Sequence, residues 1–149
     1  NNCKESLDVI QNLKIQIRKL FKATLLSAYG EKYYLSDSFP SKTRNTLTLK
    51  KVEQEKIDND KNVFVEYDIL EFAGFNELHE ISRYSSNWTN YFKKYFNNKN
   101  NEYFSGEEIL TKIGKFETSV LQNGNLSKKD FEDLNKFQKQ FSEDVSDLI

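Results

Sequence analysis

One proline and five glycines in 149 residues leave almost nothing in this chain to break a helix. Proline removes a backbone donor and glycine costs backbone entropy, so a chain that avoids both is free to run long helices. The apolar positions agree. Between residues 5 and 29, Leu7, Ile10, Leu13, Ile17, Leu20, Phe21, Leu25 and Ala28 recur in steps of three and four, which puts them on one helical stripe. Gly30 follows as a stop that accepts a left-handed backbone. Residues 31–39 read as an aromatic loop with Tyr33 and Tyr34, and Pro40 opens a second helix reaching about Ile57. That helix is polar and exposed, with only Leu47, Leu49 and Val52 as apolar content.

Beyond a loop at 58–62, Phe64, Val65 and Tyr67 have strand-like composition, but no other stretch offers a partner strand. A short helix is expected over 68–73, ended by Gly74. Asn76 starts another, with Leu78, Ile81 and Tyr84 facing inward. Trp88, Tyr91, Phe92, Tyr95 and Phe96 mark the next, followed by a polar loop from Asn97 to Asn101. Ser105 is expected to cap a helix carrying Ile109, Leu110, Ile113, Phe116 and Val120 as far as Gln122. After a tight connection at Asn123-Gly124-Asn125, Ser127 caps a last helix. Phe131, Leu134, Phe137, Phe141 and Val145 form its apolar face, and Asp130 sits in its first turn. The expected fold is an all-α antiparallel bundle of five to seven helices in a single domain over 1–149, closed by a C-terminal helical hairpin, with less than about a tenth of the chain in strand.

Composition narrows the function. The charges nearly cancel, at 22 Lys and Arg against 23 Asp and Glu, so there is no global basic field for nucleic acid. A single cysteine, Cys3, excludes an internal disulfide framework and a Cys/His zinc site; no metal or cofactor is expected, and the cytoplasm fits best. No apolar run is long enough to span a membrane. The chain has no methionine and begins with Asn, which reads as a module of a larger protein.

Few residues offer chemistry. The one histidine, His79, stands between Leu78 and Glu80, but Arg83 occupies the place of the second histidine in a His-Glu-x-x-His zinc motif. A surface or capping histidine is the plainer reading. Lys93 and Lys94, interleaved with Tyr91, Phe92, Tyr95 and Phe96, have the composition of a stacking platform for single-stranded RNA. The plainer alternative is a core stripe with lysines on its wet side. Neither a phosphate-binding glycine loop nor a nucleophile elbow is present.

Three stretches together resemble a HEPN domain, of the subgroup found in a nuclear RNA-surveillance endoribonuclease and in bacterial defence proteins. They are Ala28-Tyr29-Gly30-Glu31-Lys32-Tyr33-Tyr34 followed by Pro40; residues 64–96 with Phe75-Asn76-Glu77-Leu78; and residues 114–141. Active members of the family cut RNA without metal, with an Arg, an adjoining Asn and a nearby His at the start of the final hairpin, completed across a dimer. Histidine moves protons near neutral pH and arginine stabilises phosphate charge. In this chain the matching positions are Glu117, Thr118 and Gln122. A glutamate repels phosphate and a glutamine shuttles no proton, so the resemblance implies no catalytic residue. It implies instead a non-catalytic interaction and dimerisation module, homodimeric through the hairpin or bound to a partner protein, in a defence or RNA-processing system. Two alternatives remain: an endoribonuclease with a non-standard site built on His79 and Arg83, or an RNA-binding module using Lys93, Lys94, Tyr91 and Tyr95.

Overall fold

The computed structural model describes residues 3–97 and 104–149. Six α-helices form a bundle, and among the described residues there is no strand. Helix α1 (Cys3–Tyr29) is its axis, burying Ile10, Leu13, Ile17, Leu20, Phe21 and Leu25 along the stripe its spacing foretells. Gly30 ends it at φ +85°, donating its N–H to the Leu26 carbonyl. The loop that follows holds a 3-10 turn (Tyr33–Leu35) whose Tyr33 is fully buried. Helix α2 (Ser41–Asp60) buries only Thr43 and Leu47. Residues 63–67 form no strand; the Val63 N–H and the Tyr67 hydroxyl both donate to Asp58. A 3-10 turn (Ile69–Phe72) then sits under a cap, with the Asp68 carboxylate accepting from the Leu70 N–H and the Glu71 carboxylate from the Asp68 N–H. Helix α3 (Phe75–Arg83) packs on α5 (Ile109–Asn123). Gly114 makes their approach close: a Cβ there would stand 3.1 Å from the Cβ of Phe75.

Aromatic side chains hold the other half together. Trp88–Phe92 is a π-helical turn, with the Lys93 N–H reaching back to the Trp88 carbonyl, and it runs into the short α4 (Lys93–Phe96). The wider turn keeps Trp88, Phe92 and Phe96 on one buried side. Phe92 stacks on Phe21 of α1 at 4.2 Å, and Phe96 meets Trp88, Phe137 and Phe141. The last two belong to α6 (Lys128–Val145), which is capped by Ser127 as expected. Both α5 and α6 rest on α1, and Phe104 sits between Phe116 of α5 and Phe137 of α6.

Several expectations fail locally. Ser105 does not cap α5. The left-handed Gly106 (φ +91°) interrupts the path, and its N–H is tied to the Phe96 carbonyl at 2.8 Å, so the helix begins at Ile109. Tyr84 leaves the α3 stripe because the backbone turns extended there, before the left-handed Ser85, and its side chain is exposed. The polar loop expected to end at Asn101 lies, beyond Asn97, outside the described residues. No helix among the described residues is long and apolar enough to cross a membrane.

Candidate functional site

The three positions singled out in the sequence lie on α5, with Glu117 half-buried and Thr118 and Gln122 exposed. Its core stripe of Ile113, Phe116 and Val120 turns inward, which leaves Glu117, Thr118 and Gln122 on other faces. Glu117 is held in place: its Oε2 accepts from Lys14 Nζ at 2.6 Å and from Gln11 Nε2 at 3.1 Å, both on α1. Thr118 donates to the Gly114 carbonyl one turn back, an internal helix contact. Gln122 is exposed near the end of the helix, away from the ion pair. Glu117 and Thr118 line a polar groove of about 540 Å³ between α3 and α5, with Glu77, Glu108 and Lys115. Each of these three carboxylates has a basic partner outside the groove lining: Lys14 for Glu117, Lys50 for Glu77 and Arg83 for Glu108.

Glu77 is itself structural. Burial works against its charge, but hydrogen bonds from Lys50, its own N–H and the Gly74 N–H outweigh that, and its carboxyl sits below the ordinary pKa. Arg18 of α1, half-buried nearby, donates its Nε to the Ala73 carbonyl at 2.8 Å. Burial pulls its pKa down against the opposing pull of Glu117, Glu71 and Glu77. The basic side chains of this region are thus occupied in holding α1 against α5 and the 68–73 connection.

His79 and Arg83, one helical turn apart on α3, do come together, and both face Glu108. His79 Nε2 is 4.0 Å from Glu108 Oε2, while its Nδ1 is enclosed and meets no hydrogen-bond partner. Arg83 lies 2.9 Å from Glu107 and 3.5 Å from Glu108. An arginine meant for phosphate is here shared between two carboxylates. Such pairing neutralises the cation and surrounds it with negative charge.

The four residues of the RNA-stacking reading divide. Lys93 and Lys94 are exposed, but Tyr91 and Tyr95 are half-buried and packed on the core. Tyr91 meets Tyr29 edge-on at 5.9 Å, and Lys94 lies over the Tyr95 ring at 5.1 Å. A shallow groove of about 400 Å³ opens beside Tyr91 and Tyr95, bounded by small side chains of α1 such as Ala23, Ser27 and Ala28.

Sequence reasoning missed one buried polar centre. Asn87 is fully enclosed, donating to the Ser38 and Ile81 carbonyls at 2.8 and 2.9 Å and accepting from the Tyr29 hydroxyl at 3.0 Å. All its groups are satisfied, and it ties three separate segments together. No local pattern marks an asparagine with distant partners.

The final two helices, expected to form a dimer surface, turn most of their apolar side chains into the core. Phe116, Val120, Leu134, Phe137, Phe141 and Val145 of the final two helices are covered within the chain, leaving Leu121 as their large exposed apolar side chain. Other exposed apolar side chains include Leu49 (66% exposed), Val52 (54%) and Ile57 on α2, Phe64 (81%) on the connector after it, Ile15 on α1 and Leu35 in the loop that follows α1. Leu49 and Val52 stand at i and i+3, a spacing visible in the sequence as one helical face. Among the described residues no cluster of His, Cys, Asp or Glu side chains is arranged to hold a metal ion. Comparison with protein-family models, curated proteins and solved structures finds no match to this chain.

Proposed function

We propose that the chain is a non-catalytic, HEPN-like interaction and dimerisation module serving a bacterial defence or RNA-processing system in the cytoplasm. The observation that carries this reading is the engagement of Glu117 with Lys14 and Gln11, at the place where a nuclease of this kind presents its arginine. Metal-free cleavage requires a proton shuttle near pH 7 and a cation for the phosphate. Gln122 and Glu117 supply neither. The exposed Leu49 and Val52, at i and i+3 on one face of α2, support the second half of the reading, since apolar side chains left on one helix face favour a covering partner.

The test is incubation of concentrated protein with structured and unstructured RNA, with and without divalent metal, beside His79→Ala. No cleavage is expected. Cleavage that vanishes in His79→Ala would replace this reading with an endoribonuclease built on His79 and Arg83.

One observation favours a second reading, RNA binding without cleavage: Lys93 and Lys94 are both exposed, beside two tyrosines. Salt separates the two. Binding through lysines weakens steeply as salt rises, whereas an apolar protein interface does not.

A further inference from the structure

We propose that α2 pairs with the α2 of a second copy of this chain, antiparallel, about a two-fold axis passing between residues 50 and 51. The inference rests on the interaction-module reading and names its partner. On the outward face of α2, Lys42, Asn45, Leu49, Val52, Lys56 and Asn59 recur at alternating steps of three and four, the spacing of a helix-pairing seam, and each is exposed. Only its centre is apolar. A two-fold axis at the midpoint of the 20-residue helix sets Leu49 against Val52 of the second copy, and Val52 against Leu49. Any slip of register would set these side chains against Asn45 or Lys56, so the polar flanks select one alignment.

Charge selects the direction. Residues 41–51 carry Lys42, Arg44, Lys50 and Lys51 and no carboxylate; residues 53–60 carry Glu53, Glu55, Asp58 and Asp60 against Lys56 alone. This polarity is wrong for an isolated helix, whose N-terminal end favours acids and whose C-terminal end favours bases. The first turn has no acid and the last no base. An antiparallel neighbour brings the acidic half of one copy beside the basic half of the other, and a parallel one stacks like on like. Some of these charges already serve the fold: Lys50 pairs with Glu77, and Asp58 accepts from Tyr67 and Gln54. Lys42 and Asp60 are exposed at opposite ends, where the two-fold sets Lys42 of each copy against Asn59 of the other, within reach of the adjoining Asp60.

One helix pair covers less than the roughly 800 Å² per partner of a standard interface, so the dimer is weak, with a Kd on the order of 100 μM. Sedimentation equilibrium over about 10 μM to 1 mM reads it directly. The wild-type chain is expected to dimerise, and Leu49→Asp to weaken the dimer at least about tenfold, since it buries a charge at the axis. Lys42→Glu should weaken it about fivefold through two lost ion pairs, and Lys42→Glu with Asp60→Lys should restore it to within about twofold. Lys42→Glu places an acid where the helix dipole favours one, so unfolding does not explain its effect. Circular dichroism checks that each variant folds.

A chain monomeric throughout that range, as expected if α2 receives a different protein or another segment, overturns the proposal. So does dimerisation unchanged by Leu49→Asp, or a double charge swap that fails to recover it. Dimerisation that survives Leu49→Asp sinks the α2 seam and leaves the dimerisation-module reading standing, whereas RNA cleavage sinks that reading itself.

Discussion

Helices α1 and α2 are both long, and they are held in opposite ways. Seven side chains of α1 are buried, spaced along its whole length, and α4, α5 and α6 close around them through an aromatic chain from Phe21 to Phe104. Two side chains of α2 are buried in 20 residues. Its attachment is polar: Thr43 donates to Glu80, Lys50 pairs with Glu77, and the Arg44 guanidinium meets the Tyr34 carbonyl. The difference teaches where this molecule spends its apolar residues. On one side they make the fold, and on α2 Leu49, Val52 and Ile57 stay exposed. Burial of a Phe or Leu side chain stabilises by about 1.5–3 kcal/mol, whereas an exposed ion pair gives about 0–1 kcal/mol. The α1 side therefore sets global stability, and α2 is the element first released.

The comparison breaks most sharply at Phe96, which touches Phe21, Trp88, Phe137 and Phe141. Phe96→Ala should cost about 3–5 kcal/mol in urea denaturation, through lost burial and the cavity left behind. A loss below about 1 kcal/mol would mean that the aromatic chain is not the stabilising core.

On α2 itself the prediction is a contrast between near neighbours. Leu47→Ala should cost about 2–4 kcal/mol because that side chain is fully buried. Leu49→Ala should change stability by less than about 0.5 kcal/mol at concentrations where the chain is monomeric. Equal costs would erase the distinction between the two faces of the helix.

Asn87 joins the two regions, since Ser38 precedes α2 while Tyr29 ends α1. Asn87→Ala should cost about 1–3 kcal/mol by leaving buried carbonyls and a hydroxyl unpaired. Hydrogen exchange should show the protection loss centred on residues 36–40 and the start of α2.

The smallest effect is a pH dependence at the same seam. Burial, then the hydrogen bond to Asp68, pushes the Tyr33 hydroxyl far above its ordinary pKa. A folded-state pKa raised above the unfolded value means the stability is fully present below about pH 10 and declines as pH rises further, by up to about 1.4 kcal/mol per unit. In Tyr33→Phe that alkaline decline should flatten, as followed by thermal melts between about pH 9 and 11. An unchanged slope would assign the decline to other groups.

The sequence by itself determined the helices, because helical periodicity is local. The α1 stripe, the Ser127 cap and the α6 face of Leu134, Phe137, Phe141 and Val145 are written in spacings of three and four. It also determined that Glu117 and Gln122 lack the chemistry of an arginine and a histidine, since side-chain identity needs no coordinates. Only the tertiary structure decided which stripes meet. Ser105 failed as a cap because Phe96, nine residues earlier, claims the Gly106 N–H. Leu47, Leu49 and Val52 read alike as the thin apolar content of an exposed helix, and only packing decided that Leu47 is buried while the other two stay exposed. Lys14, 103 residues from Glu117, gave that carboxylate its partner. Contacts between residues far apart in the chain depend on how whole helices pack, and no local spacing encodes that.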